Sequence, residues 1–424
     1  MALEQYEEDL MRCNRCSYCK HVPHDAMTDA RFTGICPSIE KYLFHSRSAS
    51  GRLITALSLM KGRIELDDAA RDRIFQCQMC GGCDVSCKVE RDLEPREILQ
   101  ELRSWCAERG AVPQELLGRR ENLKREGNTL GEPRGRRGDW AEGLAARMLG
   151  KEKAEVLFHA GCQYALDPAL RPTARNALGL LLDAGADVGI LGKAEMCCGG
   201  QVYETGFRDE AAACARRQVG MWKNAGVRTV VTPCASCFQA FKVLYDKIGV
   251  ETGVEVLHIT EFILRLIREG RLRPGREVPL KAAWHDPCHL GRLAEPWVHW
   301  KGEKKKVFGQ LVVHDPPKSK RFGVRGVYDT PREVLRAIPG LNLIEMHRVR
   351  EYSWCCGAGG GAEDAFPELA ESAAAQRIEE ALSVGAEALV TSCPRCVRRF
   401  RDSIAQTGVP LEVFDLVDVV RRAV

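Results

Sequence analysis

Two adjacent cysteines stand before glycine in "AEMCCGG" at 194–200, and the arrangement returns in "SWCCGAGGG" at 353–361. On an extended backbone neighbouring side chains point to opposite faces, so two cysteines that merely pack in a core rarely need this order. The pairs also sit at matching places in a repeat. From 153 onward, strand-like runs ("AEVLFHAG", "ADVGIL", "VRTVVTP") alternate with helical ones ("PTARNALGLLLDAG", "FRDEAAACARRQVGMWKNAG"). The order recurs in "LKAAWHDP", "PREVLRAIPG", "LNLIEM", "PELAESAAAQRIEEALSVG" and "AEALVTS". Such alternation predicts an α/β fold with parallel sheets flanked by helices, built twice, over 153–270 and 279–424. Alignment of the halves superimposes Cys162 on Cys288, Cys197 and Cys198 on Cys355 and Cys356, and Cys234 and Cys237 on Cys393 and Cys396.

The chain has 424 residues and twenty cysteines, enough length for two or three cores. The acidic start "MALEQYEEDLMRC" has no apolar segment of signal-peptide type, and no stretch approaches the apolar length of a spanning helix. A cytoplasmic location is expected, with any membrane association made through partners. In that reducing setting disulfides are the poorest use of the cysteines, and zinc or iron–sulfur clusters are the better ones. A net charge of +4 without a long basic stripe argues against a nucleic-acid partner.

Residues 1–110 carry "CNRCSYC" at 13–19 and "CQMCGGCDVSC" at 77–87, joined by a helical stretch. Cysteines at every third residue suit thiolates wrapped round a cubane cluster. In two-cluster ferredoxins the fourth cysteine of each run ligates the other cluster. That pattern groups Cys13, Cys16, Cys19 and Cys87, and separately Cys36, Cys77, Cys80 and Cys83. Cys36 follows a 16-residue insertion, which loop entropy tolerates, and Pro37 follows it. Lys88 stands where proline is usual in the second run, so the chain exit is expected to differ there. This part resembles a small helical two-cluster ferredoxin domain. Paired zinc knuckles are the competing reading. Residues 111–152, including "REGNTLGEPRGRRGDW", lack hydrophobic periodicity and read as an extended linker.

Together the ferredoxin runs, "HAGC", "MCCGG", "HDPCHLGR", "SWCCGAGGG" and "TSCPRC" make the chain resemble the CCG-domain iron–sulfur family. That family includes the B and D subunits of heterodisulfide reductase and the iron–sulfur subunit of glycolate oxidase. The layout is most similar to the D subunit, and the stretch "LAEPWVHWKGEKKK" also resembles the related subunit of class II benzoyl-CoA reductase complexes. The resemblance implies a noncubane [4Fe-4S] cluster on Cys162, Cys197, Cys198, Cys234 and Cys237, and another on Cys288, Cys355, Cys356, Cys393 and Cys396. With two cubane [4Fe-4S] clusters in the ferredoxin domain, this makes four. Five thiolates on four irons require sharing, which adjacent cysteines allow, and the following glycines are expected to let the backbone approach the sulfides. A vicinal disulfide or thiol couple is the plainer alternative for each pair. Cys106 and Cys214 remain, as buried hydrophobes in helices.

The resemblance implies an electron-transfer subunit of a multi-subunit anaerobic redox complex. It would relay electrons from a flavin-containing or other iron–sulfur partner through the cubanes to the noncubane clusters. The alternative is a catalytic subunit that splits a disulfide between the two noncubane clusters. No dinucleotide fingerprint accompanies the cysteines, since "CCGAGGG" does not form a strand-to-helix phosphate turn. His159, His285 and His289 flank the cysteines and read as core histidines that need no special role, with a hydrogen bond to a cluster thiolate or a proton-moving role as the alternative. The basic groups of "RGRR" and "GEKKK" are expected on solvated or docking faces. An insertion at 293–327, with Trp297, Trp300, Phe308 and Phe322 among lysines and arginines, is expected to form an interface or a lid.

Overall fold

The apolar runs of the two repeats form two wholly parallel sheets in a computed structural model that describes residues 3–308 and 311–424. In chain order the strands are β1 (Arg147–Met148), β2 (Val156–Phe158), β3 (Val188–Ile190), β4 (Thr229–Thr232), β5 (Glu255–His258) and β6 (Leu280–Trp284). They continue with β7 (Glu303–Val307), β8 (Leu311–Asp315), β9 (Leu341–Ile344), β10 (Ala388–Thr391) and β11 (Glu412–Asp415). The first sheet runs β1-β3-β2-β4-β5 and the second β11-β10-β6-β9. Val230, Val231, Leu389 and Val390 are fully buried, as expected where helices cover both faces of a parallel sheet.

The duplication extends to register. Leu157 pairs with Val230 across β2 and β4, and the equivalent Ala283 pairs with Leu389 across β6 and β10. In each sheet the chain leaves the central strand to one side and returns on the other. The connections therefore diverge beyond the carboxyl ends of β2 and β4, and of β6 and β10, which is where open α/β sheets place their sites.

The N-terminal part is helical, with Ala49–Met60, Asp68–Phe75, Gly82–Glu90 and Pro95–Glu108 as its main helices. Helix Gly82–Glu90 runs on through Cys87 to Lys88 and beyond, which is why no proline stands there. Lys88 is buried and pairs with Asp92 at 2.8 Å and Glu94 at 3.3 Å. Helix Pro95–Glu108 joins this part to both repeats. Arg103, fully buried, donates to the carbonyls of Cys77 (2.7 Å), Phe75 (2.9 Å), Glu204 (3.0 Å) and Gly360 (2.7 Å).

One segment differs from the sequence expectation. The stretch 111–152 is not an extended linker but carries helix Gln114–Glu126, the 3-10 helix Arg134–Ala141, and β1 on the edge of the first sheet. Its helix buries only Leu116 and Leu123 and is held by polar contacts such as Arg119 to Glu363 at 2.9 Å, so little apolar periodicity marks it. The insertion at 293–327 contains the antiparallel hairpin β7–β8, which lies on the N-terminal part. Lys304 reaches Asp9 at 3.3 Å and Lys306 reaches Glu8 at 3.5 Å. Trp297 lies between Lys247 and Arg321, each 4.8 Å from its ring, whereas Phe308 is 96% exposed.

Candidate metal centres

Gly161, at φ +81°, turns the chain from β2 into the short helix that begins at Cys162. Cys234 precedes helix Ala235–Gln239, which carries Cys237 one turn in, and Cys197 and Cys198 follow β3. The fold thus gathers five cysteines at the carboxyl ends of β2, β3 and β4. Cys162 hydrogen-bonds Cys197, Cys197 bonds Cys198, and Cys237 bonds both Cys198 and Cys234. The second repeat repeats the chain of contacts. Cys355 bonds Cys288 and Cys356, and Cys396 bonds Cys356 and Cys393.

In the N-terminal part, Cys87 lies in the electrostatic neighbourhood of Cys19 and Cys13, and Cys19 in that of Cys13 and Cys16. Cys36 neighbours Cys77 and Cys80, and Cys83 neighbours all three. The structure therefore places Cys13, Cys16, Cys19 and Cys87 near one another, and likewise Cys36, Cys77, Cys80 and Cys83. It adds a contact the spacing could not show: Cys80 hydrogen-bonds Cys355 of the second repeat, which lowers the Cys80 thiol to about 6.

All twenty cysteines are free. Burial pushes Cys36 and Cys87 up to about 12, so these pockets disfavour bare thiolates. Cys198, drawn down to about 6 by hydrogen bonds from Cys197 and then Cys237, holds its charge only by keeping its neighbours protonated. Buried thiols crowded in this way suit a multinuclear cation that binds the thiolate form and displaces the protons. The chemistry of the donor sets therefore fits iron–sulfur clusters. Cys106 and Cys214 are buried in helices, as expected, and Cys214 lies in the electrostatic neighbourhood of Cys162 and Cys197.

Charged groups invisible as site residues in the sequence surround the thiols. Arg137 of "RGRR" is not on a solvated face: it is 2% exposed, donates to the Cys162 sulfur at 3.2 Å and pairs with Glu195 at 2.9 Å. Its only sequence signal is its place between glycines ahead of a buried Trp140. Arg292 donates to the Cys80 carbonyl at 2.6 Å and faces Cys288 and Cys355. Such cations offset the negative charge of a thiolate-bound cluster. Glu204 of the first repeat accepts from His289 of the second at 2.8 Å and pairs with Arg96 of the N-terminal part at 3.4 Å.

The three histidines divide. His289 lies 3.3 Å from the Cys288 sulfur; burial opposes its charge, but the Glu204 carboxylate and Cys288 beside it hold its pKa well above the ordinary value. His285 accepts from Arg377 at Nδ1 (3.1 Å) and hydrogen-bonds Cys356. Its ligating nitrogen and the sulfurs of Cys356 and Cys396 lie within 4.8 Å of one another. His159, its counterpart, is pushed down to about 4 by burial and is neutral at pH 7. Each packs edge-on against equivalent phenylalanines, Phe241 and Phe400, at 4.9 and 5.0 Å.

The glycines after the second pair make room for neighbouring backbone. A Cβ on Gly357 would lie 2.3 Å from the Ala370 carbonyl, and one on Gly359 would lie 2.2 Å from that of Gln78. They admit helix Pro367–Ser383 and the second ferredoxin run. A Cβ on Gly161 would stand 3.0 Å from the Cys237 sulfur, and one on Gly200, after the first pair, 3.7 Å from the Cys198 sulfur.

Doubled parallel sheets with cysteines at their switch points, joined to a helical domain with two groups of four, define the class. The chain belongs to the iron–sulfur proteins built from a 4Fe-4S dicluster domain and two cysteine-rich CCG domains, with residues 9–90 matching the first and 156–242 and 311–401 the second. The second CCG match begins after Cys288 and within the insertion. Among relatives, the chain is 28% identical to the D subunit of the dihydromethanophenazine:CoB--CoM heterodisulfide reductase of Methanosarcina mazei, covering 98% of this chain and 94% of that one. It is also 28% identical to the EtfAB:quinone oxidoreductase of Syntrophomonas wolfei, over 86% of this chain but only 48% of that one. The B subunit of the fumarate reductase (CoM/CoB) of Methanothermobacter marburgensis is 26% identical over 91% of this chain and 69% of that one. The fold is similar to that of a hypothetical protein from Helicobacter pylori, with TM-score 0.50 and 10% identity over 89% of this chain and 67% of that one. The protein is thus an iron–sulfur oxidoreductase chain related to the D subunit of heterodisulfide reductase. No helix of the described residues is long and apolar enough to cross a membrane.

Proposed function

We propose that the chain is an electron-relay subunit of a heteromeric redox complex, with cubane [4Fe-4S] clusters on Cys13, Cys16, Cys19 and Cys87 and on Cys36, Cys77, Cys80 and Cys83. Noncubane [4Fe-4S] clusters on Cys162, Cys197, Cys198, Cys234 and Cys237, and on Cys288, Cys355, Cys356, Cys393 and Cys396, complete the set. When bound, these groups supply one-electron chemistry, and the protein supplies their order and their surroundings. The observation that carries the reading is the closeness of the Cys80 and Cys355 thiols, which brings a ferredoxin-type thiol set against a CCG set. Arg292, facing Cys80, Cys288 and Cys355 together, keeps cationic charge at that junction. Arg137 does the same at Cys162.

A flavin-containing or other iron–sulfur subunit is the partner this reading calls for, and any membrane association comes through it. The second reading, a subunit that splits a disulfide between the CCG centres, draws on Tyr164. Its buried ring faces both Cys234 and Cys393, so residues of the two five-cysteine sets meet in one region. The test is anoxic purification followed by metal analysis and EPR during reductive titration. About sixteen irons and two distinguishable families of signals are expected, four irons for each cluster. Near-stoichiometric zinc with little iron, in protein never exposed to oxygen, would overturn the proposal. EPR changes at the CCG signals on adding a disulfide, without a partner subunit, would favour the second reading.

A further inference from the structure

We propose that the surface around Cys16 is the docking site for an acidic one-electron carrier protein; this rests on the relay reading above. Among the cysteines of the four sets, Cys16 alone is exposed, and Cys13 beside it is half-buried. Electron transfer between proteins needs close approach, and this is the set a partner can approach.

The surroundings are built for a protein rather than for solvent. Leu43 is 82% exposed, Phe44 69% and Tyr18 38%, whereas most large apolar side chains are buried. Their nearness to the thiols follows from a chain of contacts: Cys19 bonds Ser50, and Ser50 lies 3.1 Å from the His45 ring next to Phe44 in sequence. Lys20 and Arg15 are the charges that face His45, which burial and these two cations hold below its usual pKa. Neither Arg15 nor Lys20 has a carboxylate within ion-pair distance among the described residues, unlike Lys88, Arg96 or Arg137. Glu40 turns back over Gly34, and Asp25 faces Tyr352.

An exposed aromatic with unpaired cations at its rim is the composition of a transient interface, in which the aromatic anchors and the charges steer. Two free cations beside an accessible thiol set select a partner with an acidic face around its own redox centre. A neutral or basic carrier gains nothing from them.

The test uses the cluster-loaded protein and two reductants in stopped flow: a reduced acidic two-[4Fe-4S] ferredoxin, and photoreduced deazaflavin as a small uncharged donor. In the Arg15→Glu/Lys20→Glu variant, the second-order rate with ferredoxin should fall roughly tenfold at low salt and lose most of its ionic-strength dependence. Phe44→Ser should slow the same reaction while keeping the salt dependence. Iron content and deazaflavin reduction should match the parent in both. Unchanged ferredoxin kinetics in both variants, with normal deazaflavin reduction, would overturn the docking surface alone. Failure of deazaflavin to reduce any cluster in the parent would overturn the relay on which it rests.

Discussion

Asp415 shows how a single buried group can link the two repeats. It accepts a hydrogen bond from Tyr164 of the first repeat and caps the last helix through the Val417 amide at 3.0 Å. Burial raises its pKa from 3.8 to about 7. A native pKa above the unfolded one means that the folded state binds more protons. Its contribution is therefore greatest below about pH 4 and declines as pH rises toward about 7. Asp415→Asn keeps a capping oxygen and cannot ionise, so its thermal midpoint should fall less than the parent's between about pH 5 and 7. An identical slope in both proteins would show that other groups govern that window. Glu204 makes the same link at the interface of all three parts, where its charge is balanced by Arg96 and His289.

At the scale of elements, the glycine-rich loop after the second cysteine pair is a docking surface as well as a ligand loop. Gly359 lies against the Gln78 backbone, and Gly360, at φ +59°, lies against the Cys77 carbonyl, so a side chain at Gly359 would push the two thiol sets apart. Gly359→Ala should preserve iron content yet weaken magnetic coupling between the ferredoxin-type and CCG signals in EPR. Gly220, in the interior of helix Arg208–Ala225, has no atom within 4 Å of a built Cβ. Gly220→Ala should raise stability by about 0.5–1 kcal/mol, read from the thermal midpoint, and leave EPR unchanged. The hairpin β7–β8 attaches through exposed pairs such as Lys306 with Glu8, each worth about 1 kcal/mol or less.

For the whole molecule, the order of the thiol sets predicts distinct consequences for two similar substitutions. Cys16 is exposed on the outer set, whereas Cys80 is buried against Cys355. Cys16→Ser should damage one ferredoxin-type signal and leave both CCG signals at parental potentials. Cys80→Ser should damage the other ferredoxin-type signal and also shift the potential of the CCG centre that contains Cys355. Equal effects on that centre from both variants, measured by potentiometric EPR, would contradict the order.

The parallel sheets, their duplication and the runs of cysteines were legible in the sequence. Strand and helix periods, and the three-residue spacing of thiols, are local properties that side-chain chemistry writes directly into the chain. The helix at Gln114–Glu126 was not legible, because it buries two leucines and is otherwise held by ion pairs to residues far along the chain. Arg137 read as a solvated cation until folding placed it on Cys162, 25 residues away in sequence. The contact of Cys80 with Cys355, and the packing of Gly359 against Gln78, join parts of the chain separated by 275 and 281 positions. Only the tertiary structure decides such contacts, because they depend on how separately formed domains pack and not on any local period.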